Sequence, residues 1–275
     1  NGKLVLEDRV LEGYTLVTQG ERILAICPDG EVTEQTGTAE PVNTGRGKPV
    51  EKTGTSDQDA EKDSESRVID LNGKFVMPGM IDIHSDMIEA YIQPRSTAVM
   101  DFEMGLREAE RVLASCGITT MFHSISMYRE GTWDVKEIRQ APQVRKLAAL
   151  IGRYRHEKRL TRHRYHLRYE IDNLACYDDV MEMMEEGLVD LLSFMDHSPG
   201  QGQYKNLEIY RKHQPDEGKN LTDQEFADLV RREKEKERVS FEGLKKLSDC
   251  AGRLGISVAS HDDDTVEKLK VNREL

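Results

Sequence analysis

Cysteine is scarce in this chain and never paired in sequence. Cys27, Cys116, Cys176 and Cys250 are widely spaced with no CxxC, which excludes a disulfide framework and suits reduced, mostly buried thiols. Positive charge is also short: 39 Lys and Arg face 51 Asp and Glu, a formal net charge of -12. That balance argues against general affinity for DNA, RNA or an anionic membrane, while leaving room for a local basic pocket that grips a small anion. Long apolar runs are missing, and no signal-peptide pattern is read at the N-terminus. A cytoplasmic protein with no membrane or nucleic-acid partner is therefore expected. No GxGxxG, GxxxxGK[ST] or GxSxG occurs, so dinucleotide, P-loop and serine-elbow readings lose their main support.

The 275 residues, 37% hydrophobic and 33% charged, are enough for one large domain or for a barrel with a small companion. The first 26 residues alternate in short apolar runs, Lys3 to Leu6, Tyr14 to Thr18 and Arg22 to Ile26, separated by polar turns. This is the pattern of a small antiparallel sheet. Val68 to Leu71 and Lys74 to Val76 read as further strands around the Asn72-Gly73 turn. Between them, residues 27 to 66 are polar and Gly-rich, which reads as a solvated insertion, mobile at about 43–66.

After residue 80 the period changes. Near-continuous apolar strands starting near residues 81, 118, 165, 188 and 256 alternate with amphipathic helices. Asp101 to Ser115 is the clearest helix, and Thr222 with Glu225 forms a capping box before another. Pro142 should interrupt or restart the helical run from Val135 to His156. Five strand–helix units imply a parallel sheet, either flavodoxin-like or the first part of an eight-stranded barrel. All five strands run into His or a carboxylate: His84 with Asp86, His123, Glu170, His197 and His261. A barrel gathers its active site at the carboxyl ends of many strands, whereas an open sheet uses one switch point, so the barrel is favoured.

Each polar strand end has a bland alternative. His84-Ser85-Asp86 alone suits a hydrogen-bonded strand end as well as a metal. His123 could be a buried imidazole bonded to a backbone carbonyl. His197, in FMDHSPGQGQ, could sit on a Pro-Gly turn, although Gly200 and Gly202 would let backbone amides approach anionic oxygens. In HLRYE, alternation places His166, Arg168 and Glu170 on one side, in the barrel mouth, where a buried carboxylate needs a metal or a cation. His261 is followed by Asp262, Asp263 and Asp264, which suits a metal ligand with carboxylate support or a proton carrier; Asp263 or Asp264 could instead cap the next helix. Together these groups point to hydrolysis, in which a metal lowers the pKa of water and a nearby carboxylate takes the proton. His197, His261 and Asp262 are the candidate catalytic groups. Arg95, Arg129 and Arg168, with His123, Gly200 and Gly202, are candidates for substrate binding.

The run LNGKFVMPGMIDIHSD resembles the amidohydrolase superfamily. Within it, MPGMIDIHSDMIE, GITTMFHS, HLRYE, LLSFMDHSPGQGQY and SVASHDDDT, in that order, look like its phosphonate-metabolism diphosphatases. The resemblance implies an amidohydrolase-type (β/α)8 TIM barrel at residues 81–275, of which about five units are present, with a small β-sandwich subdomain at residues 1–80. It implies that His84, Asp86, Glu170 and His261 hold one or two divalent ions (Zn, Mn or Mg), Asp86 replacing the second histidine of an HxH pair. It further implies release of diphosphate from α-D-ribose 1-methylphosphonate 5-triphosphate. A homo-dimer and a functional link to carbon–phosphorus lyase components are compatible with it. Three more barrel strands, the last bringing an Asp ligand and base, are expected beyond Leu275, so the chain reads as part of a longer protein. Amide hydrolysis on a cyclic amide or N-acyl sugar, and a non-catalytic scaffold, are the alternatives.

Overall fold

The N-terminal alternation folds as four strands. β1 (Gly2–Val5), β2 (Val10–Gln19), β3 (Arg22–Pro28) and β4 (Phe75–Val76) form one mixed sheet in the order β3-β2-β1-β4, with β4 parallel to β1. The computed structural model describes residues 2–20, 22–31, 68–129, 136–214 and 220–275, and the expected mobile stretch lies outside them. Among the described residues the expected sandwich is represented by this single sheet. Val68 to Leu71 is not a strand. Its backbone is committed to a turn: Asn72 N–H donates to Asp70 Oδ1 at 2.7 Å and Lys74 N–H to Leu71 O at 2.9 Å. Asn72 and Gly73 both take positive φ, 45° and 72°, as a tight two-residue turn requires. The chain divides into two units, Asn1–Pro78 and Gly79–Leu275.

The second unit carries the parallel sheet: β5 (Met80–Ser85), β6 (Ile118–Met127), β7 (Arg162–Glu170), β8 (Leu191–Met195) and β9 (Ser257–Ser260). Their spatial order is β5-β6-β7-β8-β9, which decides between the two expected architectures. A doubly wound sheet reverses direction at its switch point. Here every crossover steps the same way, so right-handed connections put the helices on one face. The sheet curls into part of a (β/α)8 barrel.

The helices are α1 (Ile88–Ile92), α2 (Phe102–Ser115), α3 (Ala141–Tyr154), α4 (Tyr177–Glu185), α5 (Leu207–His213), α6 (Asp223–Glu235), α7 (Phe241–Arg253) and α8 (Val266–Asn272). Asp101 caps α2 by accepting from Met104 N at 2.8 Å, and Thr222 with Glu225 closes the expected capping box at α6. Pro142 lies in the first turn of α3, where it lacks no needed donor and starts the helix instead of breaking it. No helix among the described residues is long and apolar enough to cross a membrane.

Alternation along β6 and β7 sorts their side chains between two environments. Ile125, Met127, Tyr165, Leu167 and Tyr169 enter the core beneath the helices with Leu106, Leu147 and Ile151. Ser124, His166 and Ser193 interact on the opposite face: His166 Nδ1 is 2.9 Å from Ser124 Oγ and its Nε2 2.8 Å from Ser193 Oγ. Because β6 continues to Met127, His123 is not a strand end. It is fully buried on the helix side, its Nε2 2.9 Å from His163 Nδ1. His163 in turn has its Nε2 3.5 Å from Glu110 of α2, and that carboxylate accepts from Leu160 N at 2.8 Å. His123 thus leaves the expected substrate-binding set and joins a polar seam under α2 and α3.

Burial, followed by the neighbouring His163, pushes His123 down to about 3 from 6.5. A histidine depressed on folding binds its proton more readily in the unfolded chain, so its stabilising contribution is present above 6.5 and lost as pH falls towards 3. At pH 5 that loss is about 2 kcal/mol for this one imidazole. Urea unfolding of His123→Gln should show a pH 7 to pH 5 stability difference smaller than wild type by about that amount; an unchanged difference would place the titration elsewhere.

Candidate metal centre

At the carboxyl end of β7 the inward series finishes in Arg168 and Glu170, which are 9% and 3% exposed. A carboxylate so buried requires a partner, and Glu170 Oε1 finds it in His197 Nδ1, just beyond β8. With its proton on Nδ1 and donated to Glu170, His197 keeps a lone pair on Nε2. That nitrogen lies 3.7 Å from Asp262 Oδ2, which is itself 2.9 Å from His261 Nδ1. The latter approach is not aligned as a hydrogen bond, and His261 Nδ1 is buried with no hydrogen-bond partner. His197, His261 and Asp262 each offer a ligand atom within 4.8 Å of the others.

Two imidazole nitrogens and a carboxylate are a donor set that divalent zinc or manganese accepts. The orphaned Nδ1 of His261 is the observation that fits a cation between them. This cluster could hold one divalent ion. Its ring neighbours are aromatic: Tyr128 and Tyr204 stand 6.2 and 5.9 Å from His197, centroid to centroid.

The cluster depends on an unusual backbone. Asp262 has φ of 57°, a left-handed conformation that is costly for a residue with a side chain. Gly202, at φ 54°, lies against it: a Cβ there would come 3.1 Å from Asp262 Cβ and 3.3 Å from its carbonyl oxygen. Gly202 therefore makes room for Asp262, a different use from the expected approach to substrate oxygens. Gly200 does not offer its amide either, since that N–H donates to Tyr204 O at 2.9 Å.

The other expected site groups divide. His84 joins the inward face, its ring centroid 5.1 Å from both His166 and His261. Its pKa is held below the usual value by desolvation, Arg168 and His261, against the opposing pull of Asp86 and Asp82. Asp86 is not brought to the cluster. β5 ends at Ser85, so strand alternation no longer governs the next residue, and the Asp86 carboxylate lies 3.9 Å from Arg139. Glu170 orients His197 instead of standing among the three. Arg129 reaches Asp172, two residues past Glu170, with Nε 3.4 Å from its Oδ2. Arg95 is exposed in the turn after α1.

Glu89 shows what a fully compensated carboxylate looks like here. Arg139 grips it twice, at 2.7 and 3.0 Å, and Lys136 once at 2.7 Å, so its charge is spent within the fold. Neither remaining Asp caps α8, whose N-cap is Thr265, accepting from Lys268 N at 3.1 Å. Asp263 accepts from Asn272 at 2.6 Å, and Asp264 faces Lys205 at 3.7 Å.

Calorimetric titration with Mn²⁺ or Zn²⁺ separates these roles. His261→Ala should abolish binding, whereas Glu170→Gln should leave binding about 10- to 100-fold weaker, the usual cost of losing the group that orients a ligand histidine. Equal loss in both variants would return Glu170 to the ligand set.

Among curated proteins, the chain is 28% identical over 226 residues to alpha-D-ribose 1-methylphosphonate 5-triphosphate diphosphatase of Escherichia coli (strain K12). The match takes in 78% of this chain and 56% of that protein, so the chain spans little more than half the length of the relative it matches. No protein-family model and no solved structure matches it. The similarity supports an amidohydrolase-superfamily relationship.

Proposed function

We propose that this protein is a metal-dependent hydrolase that releases diphosphate from α-D-ribose 1-methylphosphonate 5-triphosphate, leaving the 5-phosphate. The observation that carries the reading is Arg168. The residue is 9% exposed, and its Nε donates to Met195 Sδ at 3.1 Å. Among the described residues it makes no ion pair, in contrast with Arg139 and Arg155. A buried cation without a carboxylate is expensive unless an anion arrives to share the site. Arg168 depresses the pKa of His84 and of His166, which puts its charge beside the strand-end imidazoles. This supports an anionic substrate over a neutral amide.

A divalent ion bound by His197, His261 and Asp262 would supply Lewis-acid activation of water and of the phosphoryl oxygens. The chain's own groups do the remainder. Glu170 fixes the His197 ring and its tautomer. Arg168 offers buried positive charge where negative charge accumulates during transfer. His166 is pushed down to about 3, chiefly by burial and next by His84, so it stays neutral and positions the inner face without taking up a second proton. Water adds to phosphorus, one P–O–P bond breaks and diphosphate is freed; attack at the α or β phosphorus gives the same two products.

The test is diphosphate release from the ribose phosphonate triphosphate with added divalent metal. Wild type should turn over, chelator should stop it, and Arg168→Met should lower kcat/KM by at least tenfold. Absence of diphosphate alongside hydrolysis of a cyclic amide would overturn the assignment.

A further inference from the structure

A cleft of about 350 Å³ opens beside the cluster, lined by Asp196, Ser198, Pro199, Gly200, Gln201, Lys234 and Arg238. We infer that this cleft is an anion subsite that receives the terminal diphosphate of a polyphosphate substrate, with Lys234 as its cation. The inference rests on the hydrolase reading above and extends it to two residues, Lys234 and Arg238, that lie outside the strand-end set.

The charges around the cleft are unequally committed. Asp196 accepts from Ser198 N at 3.0 Å and from the Ser198 hydroxyl, and Arg238 Nε stands 3.7 Å from it. The Asp196 charge is therefore satisfied inside the turn. Arg238 is engaged as well, donating to the carbonyls of Glu233, Lys234 and Lys236 at 3.2, 3.1 and 3.0 Å. Those carbonyls close α6, an end whose partial negative charge would repel an anion; Arg238 neutralises it.

Lys234 is left over. It makes no ion pair among the described residues, and its Nζ lies 3.0 Å from the point a Cβ on Gly200 would occupy. Gly200, at φ 93°, thus leaves open the space in front of the ammonium. The same turn reaches the cluster at its other end. His197 lies between Asp196 and Ser198 in sequence, and a Cβ on Gly202 would be 3.1 Å from Asp262 and 3.9 Å from Asp196 O. Gly200 and Gly202 are two residues apart, at most about 7 Å along the chain. A phosphorus held at the cluster can therefore have its outer phosphoryl groups in front of Lys234.

Inorganic diphosphate titrated calorimetrically into the metal-free chain tests this without turnover. Wild type should bind, Lys234→Gln should bind at least tenfold more weakly, Lys234→Arg should retain affinity, and Lys246→Gln on α7 should match wild type. Diphosphate affinity equal in wild type and Lys234→Gln, or no binding by wild type at millimolar concentration, overturns the subsite. If Lys234→Gln weakens diphosphate while the ribose triphosphate is not hydrolysed, the subsite stands and the substrate assignment falls.

Discussion

A strand in the middle of a parallel sheet has no solvent face, so each of its residues must suit one of two interiors. β7 meets that constraint most fully, and the site depends on it. Tyr165, Leu167 and Tyr169 go to the helix layer, where they are buried in one apolar cluster. His166, Arg168 and Glu170 go to the other face, where apolar packing is unavailable to them and every polar atom needs a partner. A shift of one residue would exchange the two sets. It would drive a guanidinium and a carboxylate beneath the helices and unseat His197, which Glu170 holds.

From that strand the site is assembled by a chain of supports. Glu170 orients His197, His197 faces Asp262, Asp262 adopts its strained backbone against Gly202, and Gly202 belongs to the turn that also flanks Lys234. The residues closest to the reacting position are thus held by packing and hydrogen bonds at one remove, which is how a loop-borne cluster gains the precision of a strand-borne one. The same logic separates Glu89 from Glu170. Both are buried carboxylates near strand ends, but Glu89 is consumed by Arg139 and Lys136, while Glu170 has a histidine that can pass the interaction outward.

How much of this could be read from the residues alone depended on the local geometry that carried each of them. HLRYE was legible because period-two alternation holds through the whole of β7. The five-unit parallel sheet was legible for the same reason, and its spatial order then removed the doubly wound alternative. His123 misled because Ser124 and Ser126 look like a loop, although a strand with a polar inner face continues through them to Met127. Asp86 misled because alternation was extended one residue past the end of β5. Val68 to Leu71 looked like a strand until the Asp70 side chain claimed the backbone of the turn. Lys234 was out of reach altogether, since it sits more than thirty residues after the Gly200 turn on a charged helix whose orientation only tertiary packing decides.

The net charge of -12 might be thought to disqualify a binder of triphosphates, but the acids are distributed so that it does not. Several of the ion-paired acids among the described residues are exposed and face Arg or Lys on helix surfaces, as in Glu103 with Arg107 and Arg153 or Glu186 with Arg145, where solvent and salt screen them. Inside, the three buried acids among the described residues, Glu89, Glu110 and Glu170, are each partnered. Arg168 is buried without a carboxylate, while Lys234, itself exposed, borders a cleft whose one acid is already satisfied. Field strength at a site follows from nearby charges that water cannot screen, not from the sum over the molecule. Arg168, buried in the site, and Lys234, at the rim of the cleft, are thus the cations that the proposed polyphosphate would meet, whatever the net charge of the whole chain.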